Sequence, residues 1–391
     1  MQDIFILGGA RTALGSFGGA LSNVSVLDLA GLVGRAAVNR AGIDPNLISH
    51  SVFGVVSTSA PNDLYLSRVA AVRAGASASV SALNVSQLCG SGLQAVVNGW
   101  QALATRQCDI ALVGGAETIS RTPHLLTQAR FGKKMGDAEL VDLLDAALTC
   151  PFGSGKLGYT AERLAQEFFV SRADQDQFAA QSHAKALHAI QQGRFETQIV
   201  PVPVQPQGLP QGFVTDEQPR RASLGMLGRL PAAFAPQGTV TAGNSAALTD
   251  GAAALVLAHE AALTGSRAVP LARILGTAQC GVDAARMGYG PVPAVRKLCT
   301  QFGLHVDDFD VIELNEAFAV QALVGMRELG LDPARVNPNG GAVALGHPVG
   351  ATGAILVVKA LYELQRTGGK RALVAMCVGG GQGIAVALER I

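Results

Sequence analysis

Residues 337–384 read NPNGGAVALGHPVGATGAILVVKALYELQRTGGKRALVAMCVGGGQGI. The stretch opens with a glycine-rich loop that carries His347 between Gly346 and Pro348. A helical pattern follows from about residue 350 to 364, with Ile355, Val358 and Leu361 on one face. A short apolar strand over 372–376 then delivers Cys377 into the run Gly379-Gly380-Gly381. One loop–helix–strand unit thus presents a histidine and a cysteine at two glycine-rich turns. Glycine there lets the backbone approach a ligand and aim its N–H groups at a developing charge.

Earlier in the chain the same order recurs. Val85-Ser86-Gln87-Leu88-Cys89-Gly90-Ser91-Gly92 leads into a helical stretch ending near Ala104, a strand over 109–113, and a predicted turn at Gly114-Gly115. In this copy the loop carries Cys89; in the later one it carries His347. The two copies read as an internal duplication. The longest stretches free of Asp, Glu, Lys and Arg are 74–105 and 336–358, and they contain Cys89 and His347. Such runs are expected to be buried.

Composition narrows the class. With 391 residues the chain can hold a large core and more than one domain. Its 30 basic and 29 acidic residues nearly cancel, which argues against nucleic acid as the main partner. Apolar residues make up 49% with few aromatics, as suits helices packed on buried parallel strands. The start leads straight into an apolar strand, unlike a signal peptide, and the uncharged runs are too rich in Gly, Ser, Asn and Pro to span a membrane. Six scattered cysteines without CxxC pairs suggest reduced thiols and no zinc site. A soluble cytoplasmic protein is the expectation.

In order, strands are expected over 4–8, 52–56, 252–257, 271–275 and 311–313, and helices over 25–41, 64–74, 172–192, 292–302 and 317–329. Their alternation predicts a mostly parallel α/β sheet with helices on both faces. From 120 to about 240 the texture changes, with much of the charge and proline (Arg130-Phe131-Gly132-Lys133-Lys134, residues 201–210, Arg220-Arg221). This segment reads as an excursion from the sheet. The implied division is 1–117 with 244–268, an insertion over 118–243, and a second half over 269–391.

The reactive side chains separate by context. Cys108, Cys150, Cys280 and Cys299 read as packing residues. His183 and His188 fall in a polar helix, and His50 and His259 near element ends. Cys89 stands at a loop-to-helix junction, where free N–H groups and the positive helix end are expected to draw a thiol pKa from about 8.5 toward neutrality. It is a candidate nucleophile. His347 is a candidate base, and Cys377 completes a constellation on equivalent ends of the two units. Asn315, after the strand 311–313, is either a helix cap or an amide that orients a water or an active-site group.

The loop 85–92, Asn315-Glu316-Ala317-Phe318, Gly346-His347-Pro348-Val349-Gly350 and Cys377-Val378-Gly379-Gly380-Gly381 resemble the four motifs of the thiolase family. Arg11-Thr12, Thr160-Ala161-Glu162, Thr241-Ala242-Gly243-Asn244, Met287-Gly288-Tyr289-Gly290-Pro291 and Asn337-Pro338-Asn339-Gly340-Gly341 also match in order, so the likeness spans the chain. It implies a duplicated five-layered α-β-α-β-α fold with an inserted loop domain. It implies an acyltransferase of fatty acid metabolism that interconverts acyl-CoA plus acetyl-CoA with 3-ketoacyl-CoA plus coenzyme A. No cofactor beyond these thioesters is implied, and no metal.

By the same resemblance, Cys89 takes the acyl group and His347 activates it, while Cys377 moves the α-proton of the second acyl group. His347 and a water held by Asn315 face the enolate oxygen; backbone N–H groups of Cys89 and Gly379 face the thioester oxygen. Leu148, Phe234, Ala242 and Phe318 match pantetheine-tunnel positions, Met287 one near the acyl group, and Arg220 one near the nucleotide end. Ser245 precedes Ala246, where many relatives place a serine beside the pantetheine. Lys156-Leu157 replaces the His-Met pair of relatives specialised for acetoacetyl-CoA, which implies a different acyl chain. Residues 123–144 match the segment that pairs dimers, so a homodimer or a dimer of dimers is expected. The rival readings are a decarboxylating ketoacyl-synthase-type enzyme, which has no need of Cys377, and a non-catalytic acyl-CoA-binding homologue.

Overall fold

The computed structural model describes residues 3–204, 212–265 and 267–391. Part of the proline-rich stretch 201–210 lies outside the described residues. The principal strands are β1 (Ile4–Arg11), β2 (His50–Gly54), β3 (Ser81–Val85), β4 (Ile110–Thr118), β5 (Thr249–His259), β6 (Ala272–Gly281), β7 (Val311–Leu314), β8 (Arg371–Val378) and β9 (Gln382–Arg390). The helices that matter here are α1 (Val26–Ala41), α2 (Leu66–Arg73), α3 (Ser91–Ala104), α4 (Leu157–Glu167), α5 (Arg172–Gln191), α6 (Pro291–Phe302), α7 (Ala319–Leu329) and α8 (Thr352–Thr367).

The strands run in the order β7-β8-β9-β6-β1-β5-β4-β2-β3, and the short strand Gly15–Ser16 adds to β5. The two ends of this order are copies of each other. On one side β2 is parallel to β3 and β4, while β5 is antiparallel to β4 and β1. On the other, β7 is parallel to β8 and to a bridge at Val336, while β9 is antiparallel to β8 and β6. A short antiparallel contact, Phe5 with Arg273 and Ile6 with Ala272, joins the copies. Helices α3 and α8 pack on each other and against strands of both copies, whereas α1 and α2 cover the outer face of the first copy and α6 packs on the second. The result is the layered, duplicated α/β fold expected from the motifs.

Three expectations fail. The sheet is mixed, because each copy ends in an antiparallel return strand, β5 or β9, that fully apolar composition cannot distinguish from a parallel one. Gly114-Gly115 is not a turn: β4 continues to Thr118, with Gly114 opposite Ala254 and Gly115 opposite Ala253. Those glycines are there for packing, since a Cβ on Gly115 would collide with the carbonyl oxygen of Gly350. The uncharged run 74–105 is not wholly buried either: Ser81, Ala82 and Leu83 lie exposed on the edge strand β3, Leu83 at 44%.

Local signals held where the structure is local. Ser25 caps α1 through Asp28 N, and Ser171 with Asp174 forms a capping box at α5. The turn Gly379-Gly380-Gly381 joins β8 to β9; at the matching point of the first copy, between β4 and β5, the chain makes its long insertion. The insertion's α4 and α5 pack back onto α7. Although α5 is polar in composition, His183 on it is fully buried, because that face lies against the body of the protein.

Candidate active site

Cys89 lies one residue before the cap of α3, in a turn tied by one hydroxyl. Ser91 Oγ accepts from Gln87 N at 2.8 Å and donates to Leu88 O at 2.7 Å. Leu88 is held at φ +46°, a left-handed conformation that costs a leucine about 1–3 kcal/mol. At the equivalent point of the second copy Gly346, at φ +102°, precedes His347. Each of these side chains thus follows a residue of positive φ.

Cys89 is 8% exposed, and its sulfur is approached by the N–H groups of Gly379 and of Cys89 itself. The expectation of a lowered pKa is reversed. Burial pushes the thiol up to about 11, outweighing the two N–H groups that pull it down. At neutral pH Cys89 is a thiol and needs a base.

His347 is the candidate. Its Nδ1 lies 2.6 Å from Thr352 Oγ1, and that hydroxyl donates its single proton to Pro348 O at 2.9 Å. Thr352 can therefore only accept from the ring, so Nδ1 carries the hydrogen and Nε2 holds a lone pair. Nε2 is buried with no protein partner. Burial lowers the imidazole pKa to about 4, which keeps the base neutral. The backbone of His347 is fixed by its N–H to Ala247 O at 2.9 Å.

Cys377 lies in β8 opposite Gly383, slightly before the glycine turn. Burial, and then the proximity of Cys89, raise its pKa strongly. The two loops touch: Gln87 Nε2 donates to Gln382 Oε1 at 3.1 Å, and a Cβ on Gly90 would come within 2.8 Å of Val378. Asn315 is held by its N–H to Ala375 O at 2.9 Å. The cap of α7 is Phe318, which leaves the amide of Asn315 free of that duty. Both its side-chain atoms are buried without partners, a state that calls for water or ligand.

Two carboxylates fix the loops. Glu117 accepts from Val56 N (3.0 Å), Ser57 N (3.1 Å) and Gly350 N (2.9 Å), tying the end of β4 to the loop of His347. Burial pushes it up to about 7 despite those three donors. Glu316 accepts from Ser182 Oγ, Asn337 Nδ2 and Val343 N at 2.7–3.1 Å, and burial likewise raises its pKa. Sequence reading missed the roles of Thr352, Glu117 and Leu88. Only Thr352 left a trace, as a hydroxyl in the first turn after the histidine loop.

Met287 and Ala317 pack on Cys377, with Leu157 and Phe318 against them. Phe234 meets Phe318 edge-on with ring centroids 6.1 Å apart, and Leu148 O accepts from Leu157 N at 2.9 Å. Phe234, Met287 and Phe318 therefore belong to one apolar wall that includes Cys377, and Leu148 is tied to its border through the backbone of Leu157. Ser245 bridges to Phe318, but its hydroxyl proton goes to Thr241 O at 2.7 Å, so only its lone pairs remain for a ligand. Ala242 is exposed beside it. Arg220 is exposed on the insertion, where its backbone N–H reaches His183 Nδ1 at 3.4 Å.

Comparison with known proteins gives the same picture. Residues 4–261 match the thiolase N-terminal domain and residues 268–390 the thiolase C-terminal domain. Beta-ketothiolase BktB of Cupriavidus necator is 48% identical, and an acetyl-CoA acetyltransferase of Pseudomonas aeruginosa 43% identical, each over the full length of both chains. The crystal structure of human mitochondrial 3-ketoacyl-CoA thiolase in complex with CoA has a TM-score of 0.97 and 38% identity, covering 100% of this chain and 98% of that one. With both domains matched in order and relatives aligned from end to end, this chain belongs to the thiolase family.

Proposed function

We propose that the chain catalyses the reversible reaction of acyl-CoA and acetyl-CoA to 3-ketoacyl-CoA and free coenzyme A, through an acyl thioester on Cys89. The observation that carries this reading is the neutral His347 with Nε2 buried and free, on a loop whose Gly350 packs against Gly92 just after Cys89, while Cys377 lies close enough to Cys89 to feel its charge. Cys89 sulfur attacks the acyl-CoA carbonyl as Nε2 takes its proton, and the N–H groups of Cys89 and Gly379 receive the developing oxyanion. The carbon–sulfur bond to coenzyme A breaks, and Cys377 gives its proton to the departing thiolate. Cys377 is then itself a thiolate. Burial makes it a strong base, suited to the weakly acidic α-carbon of acetyl-CoA. The carbanion attacks acyl-Cys89 to form the new carbon–carbon bond, and the Cys89 sulfur leaves with the proton held by His347. During proton removal, His347 and a water on Asn315 face the enolate oxygen.

The wall of Phe234, Met287 and Phe318 supports assigning the pantetheine and acyl groups to that side, with Leu148, Ala242 and Ser245 at its border and Arg220 toward the nucleotide. We divide the chain into 1–117 with 244–268, a covering insertion over 118–243, and 269–391. The exposed edge β3, with Leu64, Tyr65 and Leu83 exposed, supports pairing of two copies there. Exposed Phe131, Met135 and Leu140 support a further pairing of dimers. Six free thiols support a reducing, cytoplasmic setting, and we place the reaction in fatty acid metabolism.

The test follows acetyl-CoA in two ways. Intact mass should show one acetyl group on Cys89, and the methyl hydrogens of acetyl-CoA should exchange with deuterated water. Cys377→Ala should keep the first and lose the second by about 10²–10⁴-fold. Turnover that requires a malonyl thioester would move the chain to the decarboxylating enzymes, and absence of acylation to a binding role.

A further inference from the structure

The chemistry above uses three buried, unpartnered polar atoms, His347 Nε2 and both amide atoms of Asn315. Among the other such atoms of the described residues, Gln321 Nε2 belongs to the same segment as Asn315 and has no assigned task. Gln321 is fully buried in the first turn of α7. Its Oε1 accepts the N–H of Ala317 at 3.1 Å. An N–H can be met there only by an oxygen, so chemistry fixes which way this amide points, and the NH2 end is what remains.

The amide that carries it is held at the N–H of Ala317, two positions along the chain from Asn315. The stem of Gln321 lies against Gly288, where an added Cβ would come within about 3.0 Å of its Cγ. Met287 and Ala317 both pack on Cys377. Gln321 thus spans the two segments that wall the second thiol, with a donor pair left over. Buried donors are nearly always satisfied, by protein or by ordered water.

We infer that Gln321 is a positioning residue for proton transfer at the α-carbon, donating from Nε2 to the buried water that Asn315 presents to the enolate oxygen. The inference rests on the reaction proposed above. A water has two protons and two lone pairs. With a lone pair occupied by Gln321, its protons are directed to Asn315 Oδ1 and to the substrate oxygen. Without that donor the water can turn, and the stabilising proton is aimed at the enolate only part of the time.

Two variants separate this task from the holding of Ala317. Gln321→Glu keeps an oxygen for the Ala317 N–H and replaces the donor; Gln321→Met removes both with little change in volume. Both should slow methyl-hydrogen exchange and condensation about 10–100-fold. The rate of Cys89 acetylation and KM for acetyl-CoA should stay within about twofold of wild type. Exchange by Gln321→Glu should recover as pH falls, because a protonated carboxyl again offers a donor. Exchange at the wild-type rate in folded Gln321→Glu at a pH high enough to ionise the buried carboxyl, about 9 or above, overturns the inference, as does equal loss of acetylation and exchange in both variants. If Gln321→Met does not fold, Gln321→Glu, which keeps the Ala317 contact, decides alone. Wild type that neither acetylates Cys89 nor exchanges would instead overturn the reaction itself.

Discussion

Replacing Thr352 by valine tests the assignment of the base through a single atom. The change keeps the branched shape and removes Oγ1, which lies 2.6 Å from His347 Nδ1 in a site where Thr352 is 3% exposed. Pro348 O loses one donor but keeps the N–H groups of Ala351 and Thr352, each at 2.9 Å. The cost therefore falls on the Nδ1–H alone, which is left buried and unpaired. Such an orphan costs about 1–3 kcal/mol. The ring can relieve it by shifting its hydrogen to Nε2, where it blocks acceptance of the Cys89 proton. At 1.36 kcal/mol per decade, acylation should slow about 5- to 150-fold. The assay is single-turnover acetylation of Cys89 by acetyl-CoA, quenched and read by intact mass, with a thermal melt to verify folding. Thr352→Ser, which restores the acceptor, should recover most of the rate. Wild-type acylation in Thr352→Val would refute the tautomer assignment. Equal impairment in Thr352→Ser would show that the methyl group, through packing, was what mattered.

Two other outcomes follow from the same site. Alkylation of Cys89 by iodoacetamide, followed at the peptide level, should rise about tenfold per pH unit from 7 to beyond 9, since thiolate appears only as pH approaches about 11. His347, neutral above about 4, adds no step in that range, and a plateau below pH 8 would show that the helix end outweighs burial. Gly115→Ala should cost about 1–3 kcal/mol or more in thermal unfolding, because its Cβ would meet the backbone of Gly350, and the folded fraction should acylate more slowly as the His347 loop is displaced; a wild-type melting temperature and rate would contradict this.

The electrostatics of the site have one physical origin. Cys89, Cys377, His347 and Glu117 are each driven toward the neutral form by loss of water. With thiol and imidazole both neutral, the proposed acylation would have no ion pair to break. In the proposed reaction charge develops beside the N–H groups of Cys89 and Gly379, which already point at the Cys89 sulfur.

The sequence by itself determined most of the elements and the duplication, and it named the candidate reactive groups. Helical periodicity, the caps Ser25 and Ser171, and the loops of Cys89 and His347 are signals carried within a few residues, so reading along the chain suffices. Tertiary structure decided what depends on neighbours far away in sequence. Gly114-Gly115 look like a turn until the backbone of Gly350, more than two hundred residues later, is seen to require their missing side chains. The direction of β5 and β9 depends on which strands they meet, since buried parallel and antiparallel strands can share the same apolar composition. The sign of the Cys89 shift was out of reach for the same reason. A helix end is visible in the sequence, but the burial that outweighs it belongs to the assembled fold, as do the lone pair on His347 and the unpaired amides of Asn315 and Gln321.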